Sequence, residues 1–112
     1  MSIKCDEYGP VCVIDVDGPF TAENAAAARE ALAEQLDHRR AKHFVIHLAR
    51  SASVDSAGLE ALLWMKHRCE EQLGQFKVAG MDETCRLIMK LTRLEHRLEC
   101  FDDLTTAVKT LR

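Results

Sequence analysis

The sequence lacks the marks of several whole classes of protein. It has no apolar run long enough to cross a membrane, and its start lacks the charged-then-apolar pattern of a secretory leader. A soluble, cytoplasmic protein with no membrane insertion is therefore expected. Cysteines are few and unpaired in spacing: Cys5, Cys12, Cys69, Cys85 and Cys100 form an odd set with no Cys-x-x-Cys and no Cys/His ligand spacing. No metal site is predicted, and the thiols read as reduced and mostly buried. Gly-x-Gly-x-x-Gly, a Walker loop and Gly-x-Ser-x-Gly are all missing, which argues against a nucleotide cofactor or a serine hydrolase. The formal net charge is -3, so no direct nucleic-acid partner is expected. The densest basic run, His38-Arg39-Arg40-Ala41-Lys42-His43, reads as a solvated helix end.

What the sequence does contain is a core. Hydrophobic residues make up 47% of 112 positions, enough for one ordinary domain. Residues 2–8 and 11–17 read as strands joined through Gly9-Pro10, and Gly18-Pro19 closes the second. A helix follows from Thr21, whose hydroxyl is placed to cap it, to about Asp37, with Ala25, Ala28, Leu32 and Leu36 inward. His43 to Leu48 is a central strand. It carries Phe44, Ile46 and Leu48 on one face and His43, Val45 and His47 on the other. His47 reads as a rim histidine hydrogen-bonded locally, with a role beside the motif serine as the alternative.

The second helix is predicted over Ser56 to Leu73, with Leu59, Leu62, Met65, Cys69 and Leu73 on its buried side. Ser56, Glu60, Trp64, His67 and Glu71 project from the other side, flanked by Ala57, Ala61 and Arg68. Trp64 is either an interface anchor or packed under a neighbouring element. Gly74 ends the helix, and 75–79 form a fourth strand. Asp82 caps a third helix with Cys85, Ile88 and Leu91 inward. A short strand ends at Phe101, and Asp102 or Asp103 caps a last helix. The order β-β-α-β-α-β-α-β-α predicts a single α/β domain over residues 1–112, with a mixed, mainly parallel sheet and about four helices.

The chemistry concentrates at Asp55-Ser56-Ala57-Gly58-Leu59, where the third strand gives way to the second helix. Free N–H groups and the helix dipole favour negative charge there. Ser56 can cap the helix, accept a phosphate, or serve as a nucleophile. Adjacent residues at a helix start rarely point at each other as a nucleophile and its base must. Gly58 permits close approach to a strand or a partner.

With this motif placed at a strand-to-helix turn, and Gly18 and the element order beside it, the chain resembles the STAS domain family of bacterial anti-sigma factor antagonists. The resemblance covers essentially the whole chain. It implies a partner-switching regulator of transcription and not an enzyme. The unphosphorylated form would bind an anti-sigma factor that is also a serine kinase of the histidine-kinase-like ATPase type, freeing the sigma factor. Phosphorylation of Ser56 would block that binding, and a serine phosphatase of the PP2C type would reset it. Asp55, Ser56, Ala57, Gly58, Glu60, Ala61 and Trp64 would form the partner surface. The resemblance also allows a non-switching adaptor, as in lipid-transport ATPases or larger signalling complexes. Three positions depart from the family pattern: Ala57 where many relatives carry a second serine, Thr21 where some carry an acid, and His47 where Asp or Asn is frequent.

Overall fold

The computed structural model describes residues 2–38 and 41–111; Arg39 and Arg40 of the basic run lie outside them. The chain runs β1 (Ser2–Tyr8), β2 (Val11–Asp17), α1 (Ala22–Asp37), β3 (His43–Arg50), α2 (Ser56–Glu71), β4 (Phe76–Ala79), α3 (Glu83–Leu91), a 3₁₀ turn (Leu94–His96), β5 (Glu99–Phe101) and α4 (Leu104–Lys109). The strands lie side by side in chain order. β1 and β2 form the expected antiparallel hairpin, and β2 to β5 are parallel neighbours.

That order decides where the helices go. Parallel crossovers are right-handed, so three successive steps in one direction put α1, α2 and α3 on one face of the sheet. The residues agree: Cys12, Ile14, Val16, Phe44, Ile46, Leu48 and Val78 pack with buried side chains of those helices. The alternate strand positions face the other way. There Val11, Val13, Val45 and Ala79 meet Ala107 and Val108 of α4 and Leu111 just beyond it. One six-residue helix thus covers the second face. Polar groups accumulate on it: Lys77, almost fully buried, bonds Thr110 Oγ1 at 2.9 Å and Glu99 at 3.2 Å. Among the described residues no helix is long and apolar enough to cross a membrane.

Three expectations about the helices are corrected. Thr21 stands at the N-cap of α1, but its side chain makes no capping bond. Instead Asn24 is buried and donates to the Pro19 carbonyl at 2.6 Å, tying the helix to the preceding turn. Leu73 is 82% exposed, because α2 ends at Glu71 and Leu73 turns to φ 63°. The next residue explains the stop. Gly74 donates to the Cys69 carbonyl at 2.8 Å, and a Cβ there would collide with the Lys42 carbonyl. Leu91 is 74% exposed; Cys85 and Met89 form the buried stripe of α3, with Ile88 half-buried.

Candidate functional site: the β3–α2 turn

The turn between β3 and α2 is fastened to the turn between β2 and α1. Gly18 N–H donates to the Arg50 carbonyl at 3.2 Å and Phe20 N–H to the Ser53 carbonyl at 2.9 Å. Phe20 and Val54 form an isolated parallel bridge. Phe20 itself is fully buried, so an apolar anchor holds the two turns at the carboxyl ends of their strands. Open parallel sheets present ligand and partner sites at this edge.

Asp55 settles how α2 begins. Its backbone is extended, with φ -110° and ψ -174°, and its Oδ1 accepts from Gly58 N–H at 2.9 Å. The N-cap is therefore Asp55, not Ser56. Ser56 becomes the first helical residue. It is exposed, and its hydroxyl makes no hydrogen bond among the described residues. Ser56 thus belongs to the first turn, whose free N–H groups and dipole favour an anion.

Gly58 is buried against the other turn. A Cβ on it would collide with the Phe20 carbonyl and lie 2.8 Å from Val54 Cγ2. Its close approach is thus made within the domain. Ala61 is also fully buried, with Leu62, Met65 and Cys69. The outward helix face expected from Ser56 to Trp64 is correspondingly narrower. α2 packs on both the sheet and α1, so its buried arc is wide enough to take in Gly58 and Ala61. Asp55, Ser56 and Glu60 are exposed and Ala57 is partly so. Trp64 is half-buried rather than exposed. Its ring packs on the core and sits under two guanidinium groups, Arg29 of α1 at 5.9 Å and Arg68 at 5.1 Å from the centroid.

His47 is not brought to Ser56. It faces the α4 side, directly paired in register with Asp15. Its Nδ1 is 3.6 Å from Asp15 Oδ1, and Arg50 reaches Asp15 Oδ2 at 3.2 Å and Asp17 at 3.8 Å. The rim position of His47 is as expected, but the expected local hydrogen bond is not made: its Nδ1 and Asp15 Oδ1 have no hydrogen-bond partner among the described residues, and the carboxylate and guanidinium partners were not foreseen. Asp15 and Asp17 alternate with buried Ile14 and Val16, and only the strand register shows which residues they meet.

The STAS domain family model matches residues 2–107. The chain belongs to the STAS domain family. A comparison with curated proteins finds no match in sequence. Among solved structures, the STAS protein is similar to an anti-sigma factor antagonist from Mycobacterium paratuberculosis: TM-score 0.85, 22% identity, covering 99% of this chain and 93% of that one. The Bacillus cell fate determinant SpoIIAA in its phosphorylated form superposes with TM-score 0.77 at 14% identity, over 99% and 100% of the two chains. A sulfate transporter family protein from Wolinella succinogenes does so with TM-score 0.76 at 19% identity, over 93% and 86%. At these identities the likeness shows a common fold, one used by both regulators and transporters.

Proposed function

We propose that this STAS domain is an anti-sigma factor antagonist switched by phosphorylation of Ser56. In this reading the unphosphorylated domain binds an anti-sigma factor that is also a serine kinase of the histidine-kinase-like ATPase type, and so releases a sigma factor. Phosphate on Ser56 ends that binding, and a PP2C-type phosphatase restores it. The domain acts in the cytoplasm as a binding protein and kinase substrate. The observation that carries the reading is the division of labour at the helix start: Asp55 caps, and Ser56 presents a free, exposed hydroxyl.

The physics of the switch follows from that placement. A phosphoserine carries about -1.5 to -2 charges. At the first position of α2 the free helix end tolerates that charge, so no refolding is required. A partner surface laid over Ser56 must desolvate it beside Asp55 and Glu60, and like charges there oppose association. A loss of about 3 kcal/mol weakens binding on the order of 100-fold, enough to exchange partners. Ser56, Asp55, Glu60 and the exposed part of Ala57 are the proposed contact residues. Gly58 and Ala61 shape the surface from below, and Trp64 borders it.

The test is phosphosite mapping by mass spectrometry on protein from its native cells, with Ser56→Ala as control, and measurement of Ser56→Asp binding to the kinase partner. Phosphate on Ser56, absent in Ser56→Ala, with binding lost in Ser56→Asp, is the expected result. Undiminished binding of Ser56→Asp overturns the mechanism. No phosphate in any growth condition, with partners retained by Ser56→Ala, favours the non-switching adaptor, a reading supported by the occurrence of the same fold in a transporter family protein.

A further inference from the structure

The sheet ends in two edge strands, and they are unlike. β5 has three residues, and a strand that short resists further pairing. β1 has seven residues, holds an unbroken register with β2, and contains no proline. Among the described residues no strand pairs with its outer side. The bonds of β2 set which way β1 presents its backbone. His43 N–H donates to the Pro10 carbonyl and Gly18 N–H to the Arg50 carbonyl, both at 3.2 Å, so the even positions of β2 turn their backbone groups toward β3. Val11, Val13 and Asp15 therefore turn theirs toward β1, where they meet Tyr8, Asp6 and Lys4. Backbone groups alternate along a strand, so the N–H and C=O groups of Ile3, Cys5 and Glu7 point outward. The edge also carries charge. Lys4 and Asp6 flank Cys5 on the α4 side of the sheet, and among the described residues neither forms an ion pair. The register partner of Lys4 is Asp15, which Arg50 engages instead, and that of Asp6 is Val13.

We propose that β1 is a self-association surface, pairing antiparallel with β1 of a second copy of this chain about a two-fold axis at Cys5. Charges on an edge strand ordinarily ward off a second strand. Here a cation and an anion straddle one residue, and an antiparallel copy reverses their order. An axis at Cys5 sets Lys4 opposite Asp6 of the copy, and Asp6 opposite Lys4 of the copy. The neighbouring registers that keep the outward groups paired fail on charge: an axis at Lys4 puts lysine on lysine, and one at Asp6 puts aspartate on aspartate. In the chosen register Cys5 exchanges backbone bonds with Cys5 of the copy, and Ile3 with Glu7 of the copy. Lys4 and Asp6 fall at the positions without backbone bonds, where facing Cα atoms stand about 4.5 Å apart and side chains meet closely. The two five-stranded sheets then run on as one. The same patch serves both copies, so the assembly closes at the dimer.

This surface does not rest on the Ser56 reading and is tested separately, by sedimentation velocity of the reduced full chain over a concentration series. The wild type should pass from monomer to dimer as concentration rises. Symmetry repeats the charged contact, so Lys4→Asp or Asp6→Lys turns two attractions into two repulsions and should weaken the dimer about 30-fold. Mixing the two variants sets aspartates on one strand against lysines on the other and should restore a dimer. The doubly swapped Lys4→Asp, Asp6→Lys chain should dimerise like the wild type. Rescue separates repulsion from misfolding, because an unfolded variant gains nothing from its complement, and matched far-ultraviolet circular dichroism spectra would show that each variant keeps the fold. Three results overturn the proposal: a wild type that stays monomeric throughout, which leaves the edge to a strand of another protein; single variants that dimerise as tightly as wild type, which places the contact elsewhere; or folded variants that dimerise no better mixed than apart.

Discussion

Gly58→Ala probes how tightly the motif helix is set against the neighbouring turn. In an ordinary helix this change stabilises by about 1 kcal/mol, because alanine loses less backbone entropy. Here the new methyl would meet the Phe20 carbonyl, Val54 Cγ2 at 2.8 Å and Phe20 Cδ2 at 2.9 Å. The carbonyl belongs to backbone held by the Phe20–Ser53 hydrogen bond and the Phe20–Val54 bridge, so it cannot swing away as a flexible side chain would. Overpacking costs about 1–3 kcal/mol, and a fixed backbone partner puts this case at the upper end. Net destabilisation should be about 2 kcal/mol after the gain in propensity is subtracted. For a domain of this size that lowers Tm by about 8–12 °C. The assay is thermal unfolding followed by circular dichroism, with Glu60→Ala as the exposed control on the same helix, expected to shift stability by no more than about 0.5 kcal/mol. A Gly58→Ala protein with Tm equal to or above wild type would refute the claim that the two turns are locked together.

Three further predictions follow from particular contacts. Asp55→Ala should cost about 1 kcal/mol in urea unfolding, as loss of an N-cap does, whereas Ser56→Ala should stay within about 0.5 kcal/mol; equal losses would mean that Ser56 shares the capping. Asp82 and Asp103 accept from Cys85 and Thr106 N–H groups, which holds both carboxyls below the usual 3.8. Their folded values are depressed, so their contribution is full above about pH 4 and is lost as the pH falls through the folded values. Acid unfolding of the Asp82→Asn, Asp103→Asn double variant should therefore be less steep below pH 4 than that of wild type, and an unchanged slope would count against it. Arg29→Ala with Arg68→Ala should expose the half-buried Trp64, red-shift its emission and cost about 1–2 kcal/mol; an unmoved spectrum would show that the guanidinium groups do not cover the ring.

The sheet was legible because strand alternation has a short period and few exceptions. Phe44, Ile46 and Leu48 point one way and Val45 the other, as the pattern says, and the element order then fixes the layers. The helices were legible in extent but less so in facing. A stripe of large apolar residues marks where a helix touches a sheet, yet α2 also touches α1, and close contacts between helices use small residues. Ala61 therefore looked like an outer flank and proved to be core, and Gly58, expected to allow close approach to a strand or a partner, makes that approach to Phe20 and Val54 within the domain. Leu73 followed the helical period but fell past the point where Gly74 had to fit under Lys42. The Asp15–His47 pair depends on register between strands separated by a whole helix, and no local pattern carries that.

The helix start separates capping from the presentation of a hydroxyl. If Ser56 were the cap, its hydroxyl would be engaged with the backbone, and a phosphate would have to break that bond before it could act. Asp55 removes the conflict by capping through its own Oδ1. The same carboxylate would stand beside any phosphate on Ser56. Within the free domain, the N–H groups of the first turn and the dipole offset that repulsion; under a partner, desolvation amplifies it. The contrast between free and bound states, rather than the phosphate's charge by itself, would set the strength of the switch. Ser56→Asp should therefore leave the domain's own stability within about 0.5 kcal/mol of wild type, since acids are favoured in a first helical turn, while partner affinity falls steeply. A variant that lost both together would place the effect in folding and would leave the surface-blocking mechanism without support.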